Sequence, residues 1–337
     1  MDRKEQLSHW LNSVLNGASF NLTTASADAS FRRYFRVHLT NEANQATSTL
    51  IAMDAPPAQE NCAPFVQVAQ LFASAGLNVP QVIAQDLTLG FLLLTDLGDT
   101  TYLTVLNEAT APNLYRHANQ ALIKLQLASQ ANVLPPYDAA LLNREMQLFA
   151  DWYIAQHLQI ALDDKQQAVL KNTFDVLTAN VLAQGQVYVH RDYHSRNLMV
   201  TADNNPGVLD FQDAVYGAIT YDLVSLLKDA YIAWQEEQVI DWLVRYWQDA
   251  RKASLPVPSD FSEFYRDFEW MGAQRHIKVL GIFARLYHRD GKDGYLKDMP
   301  LVMDYLRRVC GRYIELRPML KLLNTLEGHA EKAGYTF

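Results

Sequence analysis

The spacing of hydrophobic residues changes about one third of the way along the chain. In segment 34–39, apolar Phe35, Val37 and Leu39 alternate with polar residues, and this period of two is typical of a strand. Three further short apolar runs are predicted to be strands, and one longer segment is predicted to be a helix that ends at Gly76. The predicted strands are 49–53, 82–84 and 91–94, and the predicted helix is 61–76.

Beyond residue 112 the apolar residues follow a helical period. Leu142, Met146, Phe149 and Tyr153 are spaced by four, three and four residues, which places them on one helical face. Short apolar runs at 187–189, 198–200 and 208–209 interrupt this pattern. The sequence therefore predicts an α+β, bilobal protein, with a β-rich lobe over 1–97 and a larger, mostly helical lobe over 98–337.

Composition narrows the class of protein. Hydrophobic residues make up 49% of the 337 residues and charged residues 20%, which is ordinary for a globular protein. No apolar run reaches the 18 or so residues that span a bilayer, and the polar start lacks a secretory leader pattern. The net charge of −8 argues against nucleic-acid binding. We expect a cytoplasmic protein that binds neither membrane nor nucleic acid, and no protein partner is evident.

Candidate chemistry is concentrated in two short segments. Residues 189–198 read VHRDYHSRNL, so that Asn197 follows Asp192 by five residues, and Asp210 follows in the apolar context VLDF. Phosphoryl transfer needs one carboxylate to orient and deprotonate a hydroxyl group, and an amide oxygen and a second carboxylate to hold Mg²⁺. We interpret Asp192 as the catalytic base and Asn197 and Asp210 as metal ligands. The alternative is that Asp192 and Asn197 are ordinary loop-capping residues.

These segments resemble the aminoglycoside phosphotransferase and choline kinase superfamily, over essentially the whole chain. The resemblance implies a protein-kinase-like fold with a small antiparallel sheet, and it implies ATP and Mg²⁺ as cofactors. It also implies an adenine site on the strand and hinge 91–98, with nucleotide contacts from Ala52, Thr95, Asp96 and Leu97. By the same match, His190 and Asp222 are structural residues near the catalytic loop, although Asp222 could equally be a simple helix N-cap.

Segments 30–36, 52–57, 90–98 and 101–103 more closely resemble the amino-sugar kinases of cell-wall recycling. That resemblance implies transfer of the ATP γ-phosphate to the anomeric hydroxyl of N-acetylmuramate or N-acetylglucosamine, which derive from peptidoglycan. Two alternatives remain. The acceptor could be an aminoglycoside or another small hydroxyl compound, or the protein could be a non-catalytic pseudokinase.

The nucleotide site departs from the kinase pattern at two points. Met53 stands where such folds carry a lysine, and the helix 61–76 contains no charged residue, so both halves of the usual Lys–Glu pair are missing. The loop before strand 34–39 has small residues but no glycine. We expect phosphate contacts from Ser26, Ala29, Ser30 and Phe31, and a replacement cation from Arg32 or Arg33. Alternatively, these arginines are solvated or pair with nearby acids.

The acceptor site is predicted from an excess of basic residues. Segment 265–321 holds 12 Lys and Arg against 7 Asp and Glu, which disfavours a polycationic acceptor. Arg275 and Lys278 are candidates to bind a sugar carboxylate, and Trp270 could stack on a sugar ring. The alternative is a solvated basic face. Further candidate acceptor contacts are Arg191, Arg196 and Asp213.

Overall fold

The computed structural model describes residues 2–27, 31–40 and 48–328, with only the backbone for Ser26 and Ala27. The chain divides into two compact units, which are described separately. The first contains the described parts of Met1–Leu125 together with Arg196–Asp213. The second contains Gln126–Ser195 and the described part of Ala214–Phe337.

Strands and helices alternate along the chain much as the periodicity predicts. In chain order the strands are β1 (Phe20–Ala27), β2 (Arg33–Leu39), β3 (Thr49–Asp54), β4 (Val82–Asp86), β5 (Phe91–Thr95), β6 (Gln186–Val189), β7 (Leu198–Met199), β8 (Gly207–Val208) and β9 (Val215–Ala218). The α-helices are α1 (Arg3–Val14), α2 (Ala63–Ser74), α3 (Tyr102–Val105), α4 (Ala111–Leu127), α5 (Ala139–Leu148), α6 (Asp164–Ala183), α7 (Tyr221–Leu227), α8 (Glu236–Lys252), α9 (Phe261–Asp290), α10 (Met299–Arg312) and α11 (Arg317–Leu326). A π-helix spans Phe149–His157, and 3₁₀ turns span Asp293–Asp298 and Ile314–Leu316.

The first unit is built on an antiparallel sheet of five strands in the order β1-β2-β3-β5-β4. One face of this sheet is apolar because the side chains of β2 alternate as predicted. Phe35 and Val37 are buried there against Leu7 and Leu11 of α1. Burial of each such side chain stabilises the fold by about 1.5–3 kcal/mol. The other face of the sheet is left for the site described below.

The first unit extends beyond residue 97, where the sequence predicted a boundary. The segment 196–213 belongs to it because its backbone hydrogen-bonds to earlier residues. The Val200 N–H donates to Thr100 O at 2.8 Å, and the Val208 N–H donates to Asn78 O at 2.7 Å. The short β7–β8 hairpin is therefore anchored on the first unit.

The second unit is mostly helical and packs around α9, whose 30 residues extend about 45 Å at 1.5 Å per residue. A Cβ at Gly281 would lie 2.4 Å from the backbone carbon of Leu148, so only glycine permits this close approach. The predicted face of Leu142, Met146, Phe149 and Tyr153 is buried, but its second half is π-helical rather than α-helical.

The antiparallel sheet of the first unit and the many helices of the second confirm the predicted α+β class.

Candidate active site

A cavity of about 340 Å³ opens in the first unit. Its wall includes the predicted hinge residues Thr95, Asp96 and Leu97 together with Asn197 and Asp210. The remaining lining residues are Ala25, Tyr34, Arg36, Ile51, Phe65, Pro80, Leu94, Gly98, Asp99, Thr101, Arg196, Met199, Leu209 and Phe211. The wall thus combines apolar side chains, such as Ile51, Leu94 and Phe211, with charged and amide groups, a combination that suits a purine nucleotide.

Strand alternation decides which sheet residues reach this cavity. Arg36 pairs with Ile51 across β2 and β3, and both side chains line the cavity. Ala52 follows Ile51 and therefore faces the opposite side of the sheet, where it is buried in the core beneath α1. Ala52, which is predicted to contact the nucleotide, is therefore not among the described residues that line the cavity, whereas its neighbour Ile51 is.

Asn197 and Asp210 come together beside the β7–β8 hairpin. The Leu209 N–H donates to Asn197 O at 2.9 Å, and the Asn197 Nδ2 lies 3.3 Å from Asp210 Oδ2. Asp210 has a φ of +62°, an uncommon backbone conformation for a non-glycine residue. Two oxygen-bearing side chains are held together on one cavity wall by this geometry.

The oxygen-rich character of this pair fits Mg²⁺, which prefers carboxylate and carbonyl oxygens. Gln212 supports the fit, because its Nε2 donates to Asp210 Oδ1 at 2.7 Å. Its Oε1 is buried and has no hydrogen-bond partner among the described residues, which leaves an acceptor for a metal-bound water beside Asp210. The sequence did not single out Gln212 as part of this group.

The arginines near the predicted nucleotide loop are paired with acids. Arg32 lies 3.0 Å from Glu60, and Arg33 forms an ion pair with the buried carboxylate of Asp54. The structure therefore favours the alternative that these arginines pair with nearby acids. Of the predicted loop contacts, Phe31 is 59% exposed, Ser26 is described by its backbone alone, and Ala29 and Ser30 lie outside the described residues.

Among the described residues, two cations line the cavity, on Arg36 and Arg196. Arg36 donates to Asp96 at 2.6 and 3.2 Å and to Gly98 O at 2.8 Å, so its side chain braces the hinge. Arg196 directly precedes Asn197 in the chain. Met53 is buried in β3 as predicted, and α2 carries no charged side chain.

Asp192 lies in the second unit, on the loop that follows β6. Its side chain is 41% exposed, and its Oδ1 lies 4.0 Å from a terminal nitrogen of Arg275. Burial alone would raise the pKa of the Asp192 carboxyl, but Lys278, then Arg275 and weaker cationic neighbours outweigh it and lower the pKa to about 2. Asp192 is therefore ionised at neutral pH.

Arg275 and Lys278 are buried rather than exposed on a solvated face. The Arg275 Nε donates to Ser225 Oγ at 2.7 Å. The Lys278 Nζ donates to the Tyr221 hydroxyl at 2.9 Å and lies 3.2 Å from Glu145. Both cations are thus fixed by partners of their own, and they belong to a network around Asp192.

Glu145 joins this network to Arg191, with which it forms an ion pair. Burial would raise the pKa of Glu145, but Lys278 and Arg191 lower it. Arg191 has a φ of +78°, and the Arg191 and His190 N–H groups donate to Asp222 at 3.0 and 2.7 Å. Thr220, not Asp222, is the N-cap of α7, so the N-cap alternative for Asp222 does not hold.

Other candidate acceptor residues are dispersed. Trp270 is buried in the hydrophobic core, edge-on to Tyr313, so core packing accounts for it and no sugar stacking need be invoked. Arg196 lines the cavity of the first unit, and Asp213 is exposed. Sequence reasoning missed Glu145 and Ser225, which are separated from Asp192 in the chain and carry no motif.

Residues 21–257 match a family described as phosphotransferase enzymes. The chain belongs to this phosphotransferase family. A protein from Neisseria meningitidis named N-acetylmuramate/N-acetylglucosamine kinase is 50% identical and covers 100% of both chains. A protein of the same name from Pseudomonas aeruginosa is 48% identical over 98% of each chain.

Solved structures of other kinases and phosphotransferases share the fold. A choline/ethanolamine kinase family protein from Mesorhizobium loti aligns with a TM-score of 0.65 at 14% identity, over 96% of this chain and 100% of the other. An aminoglycoside phosphotransferase bound to gentamicin aligns with a TM-score of 0.60 at 14% identity, over 90% and 96%. The predicted kinase-like fold and phosphotransferase class are confirmed. Within the described residues, no helix is long and apolar enough to cross a membrane.

Proposed function

We propose that this protein transfers the γ-phosphate of ATP to the anomeric hydroxyl of N-acetylmuramate or N-acetylglucosamine. The observation that carries the proposal is the identity of 50% and 48%, over essentially the whole chain, with two kinases named for these sugars. A reaction that consumes ATP and acts on sugars recovered from the cell wall belongs in the cytoplasm.

The first unit supplies the nucleotide site in this proposal. The apolar side chains of the cavity wall would take the adenine ring, and Asn197 and Asp210 would hold Mg²⁺. When bound there, Mg²⁺ neutralises phosphate charge that develops during transfer. The protein's own contribution is to fix these two side chains on one wall, and the Gln212 hydrogen bond supports Asp210 in that position.

Arg196 supplies the phosphate-binding cation in place of the absent lysine. It lines the same cavity as Asn197 and Asp210, whereas Arg32 and Arg33 are not among the described residues that line it. A guanidinium group can donate two parallel hydrogen bonds to phosphate oxygens. We therefore transfer to Arg196 the role that the sequence suggested for Arg32 or Arg33.

Asp192 acts as the base toward the sugar hydroxyl. Its carboxylate is held ionised by Lys278 and Arg275, and its partial exposure leaves an oxygen accessible to a substrate. A carboxylate of low pKa is a weak base, so its main contribution is to orient the hydroxyl and to receive the proton late in a loose transition state. Removal of this one group should affect turnover far more than nucleotide binding.

The cations around Asp192 also indicate which class of acceptor the site favours. Arg191, Arg275 and Lys278 contribute positive charge to the surroundings of Asp192, which is unfavourable for a polycationic aminoglycoside. Since Arg275 and Lys278 are buried and already bonded, we no longer assign either of them to the sugar carboxylate. Their charge favours neutral or anionic sugars through the local potential instead.

The test is a panel of purified protein with ATP and Mg²⁺ against N-acetylmuramate, N-acetylglucosamine and kanamycin. We expect ADP release with the two sugars only, accompanied by loss of the reducing end, because phosphorylation of the anomeric hydroxyl blocks ring opening. Asp192→Asn should reduce turnover by several orders of magnitude and leave ATP binding unchanged. Activity on kanamycin alone, an intact reducing end in the product, or more than a tenth of the activity in Asp192→Asn would contradict the proposal.

A further inference from the structure

The loop 190–195, which carries Asp192, lies outside the helices and strands of the second unit. Its backbone N–H groups therefore lack the ladder partners that regular structure provides, although buried N–H groups need acceptors. Two buried carboxylates accept hydrogen bonds from this loop. Asp222 accepts from the N–H groups at its start, and Asp229 accepts from Ser195 at its end.

Asp229 is 2% exposed, and both of its carboxylate oxygens accept hydrogen bonds. Its Oδ2 accepts from the Ser195 N–H at 3.0 Å and also from the Ser195 hydroxyl. Its Oδ1 accepts from the Tyr231 N–H at 3.2 Å. A buried carboxylate is costly unless such donors compensate it, so removal of Asp229 would leave buried donors on Ser195 without their acceptor.

The two carboxylates stand at opposite ends of one short segment. Asp222 and Ser225 are three residues apart on α7 and project in similar directions, and Asp229 follows two residues after α7 ends at Leu227. Ser225 lies between them and donates to Arg191 O at 3.3 Å, while it accepts from Arg275. Asp222 and Ser225 thus contact the start of the loop, and Asp229 contacts its end.

We propose that Asp229 is a positioning residue that fixes the C-terminal end of the loop and thereby the orientation of Asp192. The proposal rests on the role of Asp192 as base in the proposed function. Arg191 adopts a strained φ of +78°, and such a conformation persists only where the surroundings over-determine it. Asp222 and Ser225 hold the loop at Arg191, and Asp229 holds it at Ser195, so that Asp192 lies between two fixed points.

Asp229→Ala should lower kcat for N-acetylglucosamine about 10- to 100-fold, because displacement of a catalytic group by about 1 Å can cost that much. The dissociation constant for ATP should stay within twofold, since Asp229 is not among the described residues that line the nucleotide cavity. Ser195→Ala should have a smaller effect of the same kind, because it removes one of the two bonds. The double variant should lose no more than Asp229→Ala alone, since both changes break the same contact.

Two controls separate positioning from general stability. Asp163 caps α6 by accepting from the Gln166 N–H at 2.8 Å, so Asp163→Ala should lower the melting temperature without lowering kcat. Asp229→Asn, which retains an acceptor oxygen, should recover part of the kcat lost in Asp229→Ala and serves as the test if the alanine variant does not fold. A kcat within threefold of wild type in folded Asp229→Ala would overturn the inference, as would independent, additive losses in the double variant. High activity in Asp192→Asn, measured in the same assay, would instead refute the proposed base.

Discussion

Arg275 and Asp192 approach each other in the second unit, with 4.0 Å between a guanidinium nitrogen and Oδ1. The Arg275 side chain is 9% exposed, whereas that of Asp192 is 41% exposed. The cation therefore stabilises the carboxylate from the buried side, and the carboxylate remains accessible to a hydroxyl group. A base that must stay ionised while it contacts a neutral sugar needs this one-sided environment.

Arg275→Ala is expected to reduce turnover with N-acetylmuramate and N-acetylglucosamine by the same factor. The reason is that Arg275 is bonded to Ser225 and faces Asp192, so the loss affects the base rather than one substituent of the sugar. Steady-state kcat/KM values for the two sugars measure the ratio directly. A tenfold greater loss for N-acetylmuramate would show that Arg275 binds the carboxylate of its lactyl group, which N-acetylglucosamine lacks.

Lys278→Met should shift the acid limb of the pH–activity profile to higher pH. Burial raises the pKa of Asp192, and Lys278 is the largest of the opposing causes, so its removal leaves the ionised carboxylate less stable and its pKa higher. The shift should be on the order of one pH unit. Lys278→Arg keeps the charge and should therefore shift the acid limb little. Lys171→Met, which removes a lysine at an exposed site, is the matched control and should also leave the acid limb nearly unchanged. An unchanged acid limb in Lys278→Met would contradict the electrostatic role.

Strand period predicted most of the first unit, and motif spacing predicted that Asn197 and Asp210 lie close together. Alternation in 34–39 placed Phe35 and Val37 correctly in the core, and the same alternation points Arg36 toward the cavity. That last consequence follows from the alternation alone. The ion pairs of Arg32 with Glu60 and of Arg33 with Asp54 do not, because they join residues that are distant in sequence.

The environment of Asp192 could not be predicted in the same way. Arg275 and Lys278 stand out as basic residues on a predicted helix, but their burial depends on Glu145, Tyr221 and Ser225, which come from other helices. The acids that satisfy a buried cation are distant in sequence, and no local pattern marks them. Periodicity also could not reveal that an apolar face continues through a π-helix over Phe149–His157.

Asn197→Ala and Asp210→Ala should each raise the Mg²⁺ concentration needed for half-maximal activity and strongly reduce maximal activity. Each change removes an oxygen ligand from the pair that lines the cavity, and Mg²⁺ accepts few protein ligands to begin with. Titration of Mg²⁺ at saturating ATP and sugar measures the effect. An unchanged Mg²⁺ dependence in either variant would remove that residue from the metal site.

Arg196→Ala should raise the KM for ATP, whereas Arg32→Ala should leave it nearly unchanged. Arg196 lines the nucleotide cavity, while Arg32 is paired with Glu60. A charge-assisted hydrogen bond to phosphate contributes about 1.5–3 kcal/mol, so the expected increase is roughly 10- to 100-fold. The opposite result, a large effect for Arg32 and none for Arg196, would restore Arg32 as the phosphate-binding cation.

Met53→Lys, which restores the usual kinase residue, should destabilise the protein and should not improve activity. The Met53 side chain is fully buried in β3, and α2, where the partner acid would stand, has no charged residue. An unpaired buried ammonium group is comparable to a broken buried ion pair, which costs about 3–5 kcal/mol. Met53→Leu conserves apolar volume and should cost less than about 1.5 kcal/mol. Chemical denaturation of both variants measures the free energy of unfolding. The KM for ATP, measured at a temperature where each variant is folded, reports nucleotide binding separately. A contradicting outcome would be that Met53→Lys is as stable as Met53→Leu and also lowers the KM for ATP. The added ammonium group would then be reaching the phosphates, and Arg196 could no longer be assigned as the phosphate-binding cation.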